Sequence, residues 1–135
     1  MLKAIIDTNI WISALMKSSL TRPIVEAFIQ MKFIPIISPE LLKELHGALN
    51  KPKVAKLIPL EETKELITLI NEKSQRLNPT QKVNICRDAG DNFIVSLLIE
   101  AKVPLVTLDK DLLTLKSNDL DIMPPQEFLT LLKKI

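Results

Sequence analysis

Short apolar runs alternate with longer amphipathic stretches along this chain. Lys3-Ala4-Ile5-Ile6 ends at Asp7-Thr8-Asn9, and apolar positions recur at helical spacing from Ile10, which predicts strand, loop and helix in succession. Phe33 to Ile37 forms a second extended run. It meets Ser38-Pro39-Glu40, where serine suits an N-cap and proline the first helical position. The helix that follows carries Leu41, Leu42, Leu45, Ala48 and Leu49 on one stripe, with Glu44 at its edge, and stops near Lys51-Pro52. A surface helix is expected from Leu60 to about Leu77, with Glu61 and Glu62 at its positive start. Val83 to Cys86 predicts a short strand. Phe93 to Ile99 is apolar on nearly every side and predicts a buried helix, opened by Asp88-Ala89-Gly90-Asp91-Asn92. Pro104 to Thr107 reads as a further buried strand, and Asp121-Ile122-Met123 leads to a last helix introduced by Pro124-Pro125.

Strands separated by helices imply an α/β fold: a central, mainly parallel sheet covered on both faces, with the strand C-terminal ends along one rim. The 135 residues suffice for one domain, and the 47% hydrophobic content can fill one core. Eighteen basic against 16 acidic residues leave a net charge of +2, too little for a disordered polyelectrolyte or a strongly basic nucleic-acid coat. The single Cys86 can form no internal disulfide, and no secretory leader or membrane-spanning run is visible, so a cytoplasmic protein is expected.

The acidic residues carry the chemistry. Asp7 and Asp109 fall just past predicted strands, Asp88 and Asp91 open the buried helix, and Glu44 lies in the helix after the second strand. Ligands of open parallel sheets bind at that rim, so these carboxylates can converge there. At separations of ~5 Å and an effective dielectric of ~20, each like-charged pair costs about 3 kcal/mol. Helix N-termini return only ~0.3–1 kcal/mol each. A cation must supply the rest, and hard oxygen ligands without histidine or cysteine suit Mg²⁺ or Mn²⁺, which support phosphoryl chemistry.

Each acid taken singly has an ordinary alternative. Asp7 can cap the first helix, Asp88 and Asp91 compete for one cap, Asp109 and Asp111 suit turns, and Glu44 can be a solvated helix residue. The remaining signals are weaker. His46 has no partner nucleophile and reads as surface, while Cys86, Trp11 and the four phenylalanines read as core. Two glycines exclude a glycine-rich phosphate loop. Lys51, Lys53 and Lys56 form a loose basic run that is either a solvated face or a phosphate contact.

Four segments in order, Asp7-Thr8-Asn9, Ser38 to Leu45, Arg87 to Asn92 and Leu105 to Leu112, together resemble the PIN domain family over almost the whole chain. The sequence is most similar to the small prokaryotic PIN proteins classed as toxins of type II toxin–antitoxin systems, the VapC-like ribonucleases. The resemblance implies a three-layer α/β/α sandwich and an endoribonuclease site holding Mg²⁺ or Mn²⁺ through Asp7, Glu44, Asp91 and Asp109. Asp88 and Asp111 stand as rivals to Asp91 and Asp109. Thr8, Asn9, Asn92 and Thr107 would orient carboxylates or water, and Arg87, Lys110, Lys51 and Lys53 would hold RNA phosphates. The same resemblance implies an antitoxin protein partner and a homodimer. Ala89-Gly90 stands where many relatives of this subgroup have proline. Two other readings compete: a non-catalytic PIN module that binds RNA or protein, and a haloacid-dehalogenase-like phosphatase, which Asn9 disfavours by replacing its second aspartate.

Overall fold

The computed structural model describes all residues from Met1 to Ile135. It is a three-layer α/β/α sandwich around a five-stranded parallel sheet of order β3-β2-β1-β4-β5. The strands are β1 (Lys3–Ile6), β2 (Ile34–Ile37), β3 (Gln75–Arg76), β4 (Leu105–Val106) and β5 (Ile122–Met123). Helices α1 (Thr8–Leu15) and α2 (Arg22–Ile29) connect β1 to β2, and α3 (Pro39–Leu49), α4 (Pro52–Ala55) and α5 (Leu60–Lys73) connect β2 to β3. A 3₁₀ turn over Ala89–Asp91 opens α6 (Asn92–Ala101), which leads to β4, and α7 (Lys110–Leu113) and α8 (Pro125–Lys133) flank β5.

The central position of β1 follows from its residues, since Ala4, Ile5 and Ile6 have essentially no exposed surface, as expected of a strand covered on both faces. Proline is tolerated inside β2 for a geometric reason. Ile34 N–H donates to the Leu2 carbonyl on the β1 side, whereas the Ile37 carbonyl accepts from Leu77 N–H on the β3 side. Pro35 shares the parity of Ile37, and β3 pairs only with Ile36 and Ile37, so the missing donor faces no strand. An aromatic chain joins α1, α2 and α8: Trp11 packs edge-on to Phe28 at 5.3 Å, Phe28 lies 6.2 Å from Phe33, and Phe33 meets Phe128 edge-on at 5.1 Å.

The strand expected at Val83 to Cys86 does not form. The third strand is Gln75–Arg76, because α5 ends at Lys73 instead of near Leu77 and Ser74 turns extended, which lays the next two residues beside β2. Both residues of β3 are exposed, so no apolar pattern marked them. Residues 83–86 run along α6, where side chains take the place of a neighbouring strand. Val83 N–H donates to Ser96 Oγ (2.9 Å), and the Ile85 and Cys86 amides donate to Asn92 Oδ1 (3.2 and 2.9 Å). Further along, the Thr80 amide and hydroxyl both donate to Glu100 Oε1 (3.1 and 2.7 Å). Asn92, Ser96 and Glu100 are four residues apart and so occupy one stripe of α6. Cys86 is accordingly half-buried against the core, not fully inside it. No helix is long and apolar enough to cross a membrane.

Candidate active site at the sheet switch point

The chain leaves β1 toward β2 on one side and leaves β4 toward β5 on the other, so the ends of β1 and β4 frame a topological switch point. Their register sets Ile6 opposite Val106, and Asp7 N–H continues the ladder to the Val106 carbonyl at 3.0 Å. Asp7 therefore stands beside Thr107. The fully buried Thr107 hydroxyl donates to Asp7 Oδ2 at 2.6 Å and accepts from the Asp109 amide at 3.0 Å, tying the two strand ends together. Asp7 is at the N-cap position of α1 but makes no side-chain cap, so its carboxylate is oriented by Thr107 and not spent on the helix.

The competition between Asp88 and Asp91 is decided by the 3₁₀ turn. Asp88 accepts from Gly90 N–H at 2.9 Å and caps that turn, whereas Asp91 makes no capping bond. Asp109 uses one oxygen as an N-cap for α7, accepting from Asp111 N–H at 2.9 Å. Glu44 is exposed on α3. Asp111 turns to Arg87, 4.0 Å away, in an exposed ion pair.

Electrostatics group the acids more clearly than distance does. Burial pushes the Asp91 carboxyl up to about 6, and the negative charges of Asp109, Asp88, Asp7 and Glu44 add to the rise. Asp7 is also raised, first by burial and then by Glu44 and Asp109, against the hydrogen bond from Thr107, which favours its charged form. None of Asp7, Glu44, Asp91 and Asp109 has a basic partner, since every ion pair of the chain involves other acids. The four carboxylates offer only oxygen, which is the chemistry Mg²⁺ and Mn²⁺ take, and the one thiol that feels them, Cys86, is pushed up by burial and then by the charges of Asp91 and Asp88. No three of these side chains are close enough together to hold one ion. They share an electrostatic field and not a ready coordination sphere.

The other residues singled out from sequence divide in two. Thr8 is buried with its hydroxyl unpaired, next to Asp7, and Asn9 is exposed. Asn92 serves the 84–86 segment, with Oδ1 on two amides and Nδ2 donating to Asn84 Oδ1 at 3.2 Å, so it faces loop backbone instead of a carboxylate. Arg87 and Lys110 are exposed beside the rim acids Asp88 and Asp109, and Lys51 and Lys53 are exposed where α3 gives way to α4. Sequence reasoning missed the Asn92, Ser96 and Glu100 stripe, although Ser96 is the one polar residue within Phe93 to Ile99.

Residues 3–111 match the PIN domain family. The chain belongs to the PIN-domain family. This PIN-domain chain is 30% identical over 139 aligned positions to MJ1680, an uncharacterized protein of Methanocaldococcus jannaschii, the match covering 95% of this chain and 90% of the other. Among solved structures, it resembles the PIN domain endonuclease Utp24 at 24% identity and a TM-score of 0.53, over 90% of this chain and 84% of that one. It also resembles VapBC2 from Rickettsia felis, solved bound to a DNA fragment from its promoter, at 17% identity and a TM-score of 0.59, over 91% and 98% of the two chains. These structural likenesses bear on the fold.

Proposed function

We propose that this PIN-domain protein is a metal-dependent endoribonuclease in which Asp7, Glu44, Asp91 and Asp109 hold Mg²⁺ or Mn²⁺. The observation that carries the reading is a set of four carboxylates at the switch-point rim without a basic partner, in which Glu44 and Asp109 add their charge to the burial that raises Asp7 and Asp91. Such repulsion is relieved by a cation, and the all-oxygen donors suit a hard one. When bound, the ion would polarise the scissile phosphate and lower the pKa of a water for in-line attack. Asp7, buried and fixed by Thr107, supplies the rigid part of the site. Glu44, exposed on α3, supplies the adjustable part. Arg87 and Lys110 would pair with the flanking phosphates, and Lys51 and Lys53 with more distant ones. The phosphodiester is hydrolysed directly, without a covalent aspartyl intermediate.

A toxin of a type II toxin–antitoxin system, working as a homodimer restrained by an antitoxin protein, is the biological setting we propose for this activity. The similarity to VapBC2 supports it at the level of the fold. The deciding experiment is cleavage of a structured RNA pool by purified protein with Mg²⁺, with Mn²⁺ and with chelator, comparing wild type with Asp91→Asn. Metal-dependent cutting lost in a folded Asp91→Asn protein is expected. RNA retained but never cut, with both metals, would replace the nuclease by a binding module.

A further inference from the structure

Beside the acids lies a cavity of about 340 Å³ that contains none of them. Its lining includes Gly90 and Asn92, the chain neighbours of Asp91, and Glu40, one helical turn before Glu44. The 79–83 segment contributes Pro79, Lys82 and Val83 to the lining, and α6 contributes Phe93. The segment is held in place by the α6 stripe, through Glu100 to Thr80 and Ser96 to Val83, so the cavity has side-chain-anchored walls.

We propose that this cavity receives one unpaired nucleobase of the RNA, next to the scissile phosphate, and so sets a base preference at a fixed distance from the cut. The inference rests on the nuclease reading. Its volume is at the small end of ligand sites, room for a single nucleotide unit and not for a helix. Phe93 and Pro79 offer flat apolar surface to the face of a base. Glu40 accepts hydrogen bonds and Lys82 donates them, which matches the mixed edge of an unstacked base. One cation and one carboxylate cancel, so the lining selects neither an anion nor a metal. Single-stranded, splayed RNA is the substrate form that can present a base there.

The test uses the full chain. Isotope-labelled wild-type protein in chelator is titrated with the homopentaribonucleotides of A, C, G and U, and amide shifts are followed at Lys82, Val83 and Phe93. Phe93→Leu keeps apolar bulk where Phe93→Ala risks the packing of α6, and Lys82→Ala and Glu40→Gln probe the edge contacts. One base is expected to shift those amides most, and Phe93→Leu to weaken that oligomer by about 5- to 150-fold, the range of base–aromatic stacking. In parallel, cut sites in a randomised RNA are sequenced with Mg²⁺ or Mn²⁺. Wild type should show a preferred base at one offset, which Phe93→Leu flattens. Cleavage with an unchanged preference and affinity in Phe93→Leu overturns the pocket and leaves the nuclease standing. Absence of shifts at these amides with every base also overturns it. Base-selective shifts without any cleavage keep the pocket and remove the nuclease.

Discussion

Replacing Asp91 by asparagine should stabilise the metal-free protein while removing the activity we propose for it. The carboxyl of Asp91 rises from an ordinary 3.8 to about 6, through burial first and then the charges of Asp109, Asp88, Asp7 and Glu44. The sign follows from linkage. Below about pH 4 folded and unfolded chains both hold the proton; between about 4 and 6 the folded chain holds it more tightly; above about 6 ionisation is costlier in the fold. The stability associated with this group is therefore full at low pH and lost as pH rises through about 6. The complete shift corresponds to about 3 kcal/mol at pH 7. Solvent screening of the partly exposed side chain reduces this to about 1–2 kcal/mol. Urea unfolding in chelator at pH 7 should show Asp91→Asn more stable by that amount, or by about 3–6 °C in Tm for a domain of this size. At pH 4 the difference should shrink toward zero. Adding Mg²⁺ should then stabilise wild type more than the variant, because only the intact acid set gains the ion's binding energy. A variant that is less stable than wild type in chelator at pH 7 would refute the electrostatic account.

Four further outcomes follow from local geometry. Thr107→Val leaves Asp7 Oδ2 without its buried donor and the Asp109 amide without its acceptor, so urea unfolding should show a loss of about 2–4 kcal/mol, with Thr107→Ser close to wild type. The same change removes the bond that favours ionised Asp7, so carbon-detected titration should place that carboxyl higher still. Asn92→Ala frees the Ile85 and Cys86 amides, which should exchange with deuterium faster while the buried centre of α6 stays protected; unchanged exchange at both would refute the anchoring of this segment by Asn92. Lys102 ends α6 in the left-handed region at φ 55°, so Lys102→Gly should raise stability by a few tenths to about 1 kcal/mol in thermal unfolding.

By itself the sequence determined the alternation of elements, because buried parallel strands and apolar helices leave strong hydrophobic signals, as at Ala4 to Ile6 and Ile94 to Leu98. It also determined which acids were candidates, since strand ends and helix starts place side chains on one rim whatever the details of packing. It did not determine β3. Gln75 and Arg76 are exposed, and their pairing is a product of where α5 stops and of the edge that β2 leaves open. Val83 to Cys86 shows the converse: a strand-like pattern whose hydrogen bonds are satisfied by Ser96 and Asn92 side chains instead of a neighbouring strand. Only the tertiary structure separated Asp88, which caps a turn, from Asp91, which feels the other acids, because the two have the same chemistry and stand three residues apart. Likewise only the β1–β4 register brought Thr107 onto Asp7, joining residues a hundred positions apart through one buried hydroxyl. Local propensity acts over a few residues, whereas the field at a site is summed over every charge the fold brings near, and that sum exists only once the chain has closed on itself.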